Sequence, residues 1–352
     1  MNVRGVSGLW PLVFLARIGW TQTSLEGPLQ PPPSVSDIQL LVMAGSSNVT
    51  PSESPASRVD PNTMSSWYGG VGSLKVQVGS STYIGSGSLL TPWYVLTAAH
   101  VLDINGDGAP DTTPGNVTFY LNYGGSPSHA VSASALYLHP AYNGHTINLN
   151  DDVAIVQLSS PITGVPSYDI VRTPLVYQTE VTLVGYGWSG YGNIGFTVSP
   201  SYYVKRAGTN YIDGIWSWDD EGTNSTFELW YGDFDWPDGV STGFVGGVSV
   251  GNRLETTLGG GDSGGPGFIW DGSQLKIVSV NTFAFNVGTN TAPKFGSGLG
   301  GIHVPAYAGW IDSITGLPEP GTAALVALGM LSGWLARRVW RHRSQDPCSK
   351  SD

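Results

Sequence analysis

Apolar and polar positions alternate in short runs along much of this 352-residue chain. Leu74-Lys75-Val76-Gln77-Val78 switches at every residue, the period of a strand with one face on a core and the other in water. Trp93-Tyr94-Val95-Leu96 and Val153-Ala154-Ile155-Val156-Gln157-Leu158 are nearly continuous apolar runs and predict strands buried on both faces. Such runs, with 49 Gly and 12% charged residues, predict a β-rich exported protein rather than a helical cytosolic one. Two longer apolar stretches, 6–16 and 321–336, lie outside this pattern near the ends of the chain.

Gly259-Gly260-Gly261-Asp262-Ser263-Gly264-Gly265-Pro266 fits neither a strand interior nor a helix and reads as a tight loop. Glycines there let the backbone approach a ligand closely, so Ser263 Oγ can be presented while the N–H groups of Gly261 and Ser263 point at an oxygen that becomes negative. A serine hydroxyl is a poor nucleophile at neutral pH and needs a general base, which in turn needs a group that fixes its tautomer. His100 follows a strand-like run in Thr97-Ala98-Ala99-His100, and Asp152 stands at the mouth of another. Asp151 competes with Asp152 for the orienting role and is expected to be solvated.

In the order His, Asp, Ser these three pieces resemble the trypsin-like serine peptidases of the chymotrypsin fold, through TAAH, DVAI and GDSGGP. Gly87-Ser88-Leu89-Leu90, His139-Pro140-Ala141-Tyr142-Asn143, Gly185-Tyr186-Gly187 and Tyr307-Ala308-Gly309-Trp310-Ile311 extend the likeness over residues 59–314. The resemblance implies an all-β fold of two six-stranded antiparallel Greek-key barrels with a short C-terminal helix. It also implies an endopeptidase acting on protein or peptide substrates: His100 is general base then acid, Asp152 orients it, Ser263 forms an acyl-enzyme, and Gly261 and Ser263 line the oxyanion hole. His139 is expected to be structural. Thr257, six residues before Ser263, and Ser279 are expected along the specificity pocket, and a threonine there argues against strict selection of Lys or Arg. Cleavage after Arg58 would free a Val59 ammonium to pair with Asp262. A catalytically silent binding protein with the same fold is the rival expectation, its contact surface being the aromatic and acidic insert 213–238, which otherwise reads as packed hairpins.

Residues 59–316 hold 7 Lys and Arg against 20 Asp and Glu, a balance that excludes a phosphate-binding nucleic-acid partner. Cys348 is the sole cysteine, so no intramolecular disulfide forms. Asp103, Asn105, Asp107 and Asp111, with Gly106, match the first part of an EF-hand loop, but Pro114 stands where the bidentate Glu belongs. A calcium loop completed by a distant carboxylate and a metal-free Asp/Gly turn both stay open; the chemistry itself requires no cofactor.

Arg4 and the apolar stretch behind it read as a signal peptide over 1–20, and the Pro- and Ser-rich 21–58 as a pro-segment or spacer with little core of its own. After the protease domain at 59–316 comes Leu317-Pro318-Glu319-Pro320, the uncharged helix 321–336 and Arg337, Arg338, Arg341 and Arg343, with 344–352 as a tail. Residues 317–343 resemble a PEP-CTERM sorting signal. That resemblance implies transient anchoring in the inner membrane of a Gram-negative bacterium, removal of the tail by an exosortase-type enzyme, and delivery to the cell surface or matrix.

Overall fold

The computed structural model describes residues 41–48, 53–146, 149–216, 227–236, 249–251 and 254–316. All lie in the compact unit Pro33–Asp352; the expected signal peptide and sorting tail fall outside the described residues. Among the described residues no helix is long and apolar enough to cross a membrane.

The chain begins with a two-residue strand, β1 (Leu41–Val42), and then builds a closed barrel from β2 (Val71–Val78), β3 (Ser81–Thr91), β4 (Tyr94–Thr97), β5 (Val117–Leu121), β6 (His129–Leu138) and β7 (Ala154–Leu158). The order around it is β2-β3-β4-β7-β6-β5, and β2 pairs with both β3 and β5. The alternation read at Leu74–Val78 holds: Leu74 and Val76 are fully buried while Lys75 and Gln77 are not. Leu89, Val95, Val117, Phe119, Ile155 and Leu158 complete the filling of this barrel.

A second sheet takes β8 (Asp169–Ile170), β9 (Glu180–Gly185), β12 (Arg206–Tyr211), β13 (Gly214–Trp216), β14 (Leu229–Asp233), β16 (Pro266–Trp270), β17 (Leu275–Phe285) and β18 (Gly298–His303). Two small pairs lie beside it: β10 (Ser189–Tyr191) with β11 (Gly195–Val198), and β1 with β15 (Leu258–Gly259). The expected second six-stranded barrel is corrected here. The order β12-β9-β16-β17-β18-β14-β13, with β8 on β17, is an eight-stranded half-barrel whose end strands β12 and β13 do not pair. The reason lies at the seam, where the chain steps from one edge to the other through Ile212 and Asp213. There Asn210 Nδ2 donates to Asp233 O (2.8 Å) and Thr256 O (2.7 Å), so a side chain stands where a backbone ladder would close the barrel. The described residues end with α1 (Ala308–Thr315), whose C-cap Gly316 has φ +68°, a left-handed conformation glycine tolerates.

Part of the expected spacer is built into this fold. β1 pairs antiparallel with β15, and fully buried Met43 packs with Phe234 and Phe295. The insert is also packed where it is described: β13 and β14 form an antiparallel pair, β14 joins β18, and Trp230 is fully buried. The remainder of the insert lies outside the described residues.

Candidate active site

β4 and β7 pair with Thr97 opposite Ala154, so the residues just after β4 and just before β7 emerge at the same end of the closed barrel. The chain leaves β4 through extended Ala98 into a 3₁₀ turn over Ala99–Val101, which delivers His100. Its backbone N–H donates to Asp152 Oδ1 (2.8 Å), and its Nδ1 lies 2.6 Å from Asp152 Oδ2. Two contacts from one carboxylate fix both the main chain and the ring of the histidine. Asp152 is 3% exposed, so water competes weakly for its oxygens.

The other ring nitrogen, His100 Nε2, is buried and has no hydrogen-bond partner among the described residues, Ser263 Oγ included. The ring of His145 sits edge-on at 5.6 Å from that of His100. Burial, and then the proximity of His100, push the His145 pKa down, so His145 stays neutral at neutral pH and adds no charge beside His100.

Ser263 lies between β15 and β16 on a loop pressed against the strand that carries His100. A Cβ on Gly264 (φ +81°) would overlap Thr97 Oγ1 and Ser86 O and lie 2.9 Å from Ala98 N, so glycine there permits the two halves to meet. Ser86 binds the loop to the closed barrel: its N–H donates to Ser263 O (2.8 Å), and its Oγ donates to Gly261 O (2.7 Å). In the loop, the amides of Asp262, Gly264 and Gly265 donate to the carbonyls of Gly259, Asn281 and Asp262. Those of Gly261 and Ser263 donate to no protein group among the described residues. Two such donors beside a serine are what an oxyanion requires.

Several expectations change in place. Asp151, expected in solvent, is 1% exposed; it adopts φ +59°, its N–H donates to Tyr307 Oη (2.9 Å), and its Oδ1 lies 3.0 Å from His139 Nδ1. His139 also meets the rings of Tyr307 and Trp310, so it ties the Asp151-Asp152 turn to the C-terminal segment. Ser279 lies within β17, where it pairs with Gly267 and His303, and a Cβ on Gly267 would overlap its Oγ. Two residues on, Asn281 exchanges backbone hydrogen bonds of 2.8 Å with Gly264 and Gly265, so the part of β17 that meets the loop begins there. Thr257 is fully buried, and its carbonyl accepts from Met43 N–H (2.9 Å).

Val59 and Asp262 are not brought together. Val59 forms an antiparallel bridge with Arg206, and the Asp262 carboxylate accepts from Gly187 N–H (2.8 Å) and Gly259 N–H (2.7 Å). In the Asp103 loop the carboxylates turn onto their own backbone: Asp103 accepts from Gly106 and Gly108, and Asp111 from Ile104 and Asn105, each at 2.8 Å. Among the described residues no group of three or more His, Cys, Asp or Glu is arranged to hold a metal ion. Reading motifs in the sequence did not reveal Ser86 or Asn281, because their contacts with the Ser263 loop are largely to backbone groups far away in sequence, which no local pattern encodes.

Residues 68–212 match the family described as Trypsin, a span that includes His100 and Asp152 and ends before Ser263. The Inactive CLIP domain-containing serine protease A3 of Aedes aegypti is 28% identical over 246 residues, covering 67% of this chain and 47% of its own. The chain thus spans about half the length of that curated relative. The crystal structure of protease Anisep from Arthrobacter nicotinovorans is similar over 67% of this chain and 90% of its own, at 21% identity and a TM-score of 0.43. With its closed barrel, half-barrel and short terminal helix, the chain carries a trypsin-like serine protease domain.

Proposed function

We propose that the protein is a serine endopeptidase that cleaves protein or peptide substrates through an acyl-enzyme. The observation that carries this reading is the state of His100: one ring nitrogen is fixed by Asp152, the other is buried and uncommitted, and a serine loop with two uncommitted amides lies against the same strand end. In the first step His100 Nε2 takes the Ser263 Oγ proton as Oγ bonds to the carbonyl carbon, and the oxyanion is met by the amides of Gly261 and Ser263. The imidazolium then gives that proton to the leaving amine as the C–N bond breaks. Water repeats the sequence on the ester, and Asp152 stabilises the imidazolium in both halves.

A second reading, a silent member of the fold that binds without cutting, is favoured by the relative whose name describes an inactive protease and by the absence of a His100–Ser263 hydrogen bond. Labelling with a fluorophosphonate separates the two. The peptidase reading expects one adduct per chain on Ser263, lost in Ser263→Ala; absence of any adduct on the folded protein selects the binding reading.

Export and sorting through residues 317–343 to the cell surface are part of this proposal and rest on the Pro-Glu-Pro, apolar stretch and arginine order. Mass spectrometry of the protein recovered from its source checks them: a mature chain that keeps the arginine cluster removes the sorting step.

A further inference from the structure

We propose that residues 41–58, together with Arg206, brace the Ser263 loop in the uncut chain, so that no cut after Arg58 is needed to shape it. The inference builds on the peptidase reading but concerns how the loop is held. β1 adds a strand to β15, and Gly259 of β15 holds Asp262 twice: Gly259 N–H donates to its carboxylate and Gly259 O accepts its N–H (2.6 Å). The pairing continues past β1. Met43 N–H donates to Thr257 O, Thr256 Oγ1 donates to Met43 O (2.6 Å), and Ala44 N–H donates to Gly190 O (2.9 Å).

The carboxylate of Asp262 leaves little room for an arriving N-terminus. It already accepts two backbone N–H groups, and a Cβ on Gly185 would overlap its Oδ1. Arg206 stands directly across from Gly185 in the antiparallel β9–β12 pair, so its side chain projects to the face on which Asp262 lies. Arg206 is 6% exposed, its Nη1 is buried without a hydrogen-bond partner among the described residues, and the charge of Asp262 opposes the lowering of its pKa by burial. Arg206 Nε donates in turn to Pro55 O (3.3 Å), inside the 41–58 segment.

The Arg58 side of the Arg58–Val59 bond is tied down, while Val59 itself is 38% exposed. Arg58 is 6% exposed, with its guanidinium on Leu254 O (2.6 Å), Glu255 O (2.9 Å) and Glu53 Oε1 (3.3 Å). On either side of the bond, Ala207 N–H donates to Arg58 O and Asp60 N–H to Lys205 O, both at 2.9 Å. A protease needs an extended, accessible segment, and this one is engaged on both sides. Carrying Val59 N to Asp262 would break the Val59–Arg206 bridge and the Asp60–Lys205 hydrogen bond.

The experiment uses the full chain. Fluorophosphonate-labelled protein is examined by intact mass under denaturing conditions, with and without prior treatment by a Lys/Arg-specific protease. The expected result is label on chains in which residues 41–58 are continuous with Val59, and no gain after treatment; label confined to chains that begin at Val59 overturns the proposal. Arg206→Met is expected to slow labelling by tenfold or more at unchanged peptide KM, and to speed hydrogen exchange at 258–265. Arg206→Lys is expected to recover part of the rate, and Met43→Asp to reproduce the exchange effect. Labelling and exchange in Arg206→Met at the wild-type rates overturn the brace. If no form labels while exchange at 258–265 still responds, the peptidase reading fails and the brace stands.

Discussion

The barrel of β2–β7 closes through backbone hydrogen bonds all the way round, whereas the sheet that begins with β8 leaves its end strands β12 and β13 unpaired, with the Asn210 side chain of β12 donating to the carbonyls of Asp233 on β14 and of Thr256 at the seam. Fully apolar residues fill the first, with Leu74, Val95, Phe119 and Ile155 at 0% exposure. The seam of the second buries Asp213, Asp233, Asp235 and Glu255, all at 2% exposure or less. Burial pushes Asp213 upward against its hydrogen bonds with Asp233, burial and then the charge of Asp213 push Asp233 upward, and burial followed by Asp235 pushes Glu255 up to about 7. Arg58 is the cation whose charge Glu255 meets, and its guanidinium is shared with Glu53. The lesson is a division of labour. The self-contained barrel holds His100 and Asp152, while the half-barrel that carries Ser263 is completed by a segment from outside the sheet.

The largest effect tests the chemistry divided between the two. Ser263→Ala, from the half-barrel, and Asp152→Asn, from the closed barrel, should each cost about 10⁴-fold or more in acylation with little change in thermal midpoint. A loss below tenfold in either would break the assignment. Next comes the contact between the halves. Gly264→Ala places a methyl group against Thr97 Oγ1 and Ser86 O at φ +81°, and should cost about 2–4 kcal/mol in urea unfolding, with activity falling alongside. Inside the closed barrel, Leu74→Ala should cost about 3 kcal/mol, by a similar amount at pH 5 and pH 8, because no buried carboxylate adjoins it in that core.

The seam gives a smaller effect with a distinctive pH dependence. Asp213, Asp233 and Glu255 have folded pKa values above the unfolded ones, so the folded chain holds protons that the unfolded chain has released. Stability is therefore full below the ordinary carboxylate range near pH 4 and declines as pH rises through about 7. Thermal melts from pH 4.5 to 8 should show this fall, and Asp233→Asn should flatten it and raise the midpoint at pH 8. A midpoint that climbs steadily with pH in both proteins would contradict the buried cluster.

Much of the site was legible in the chain because its chemistry needs particular side chains in particular local settings. His100 after an apolar strand, Asp152 before another and Ser263 among glycines each carry a local signature, and the strands around them follow the hydrophobic period. Asp151 was misjudged because an aspartate in a polar turn reads as solvated, and burial by Tyr307 from 156 residues away leaves no local mark.

By itself the sequence determined the β class, the strands of the first barrel and the identities of the three candidate catalytic residues, because these follow from periodicity and side-chain chemistry within a few residues. Tertiary structure decided that the second sheet stays open at its seam, that four carboxylates are buried there, and that residues 41–58 belong to the fold. Those outcomes depend on hydrogen bonds and packing between positions some 200 residues apart, such as Thr256 Oγ1 on Met43 O and Arg58 on Glu255 O, and the backbone carbonyls that accept them are offered by every residue of the chain.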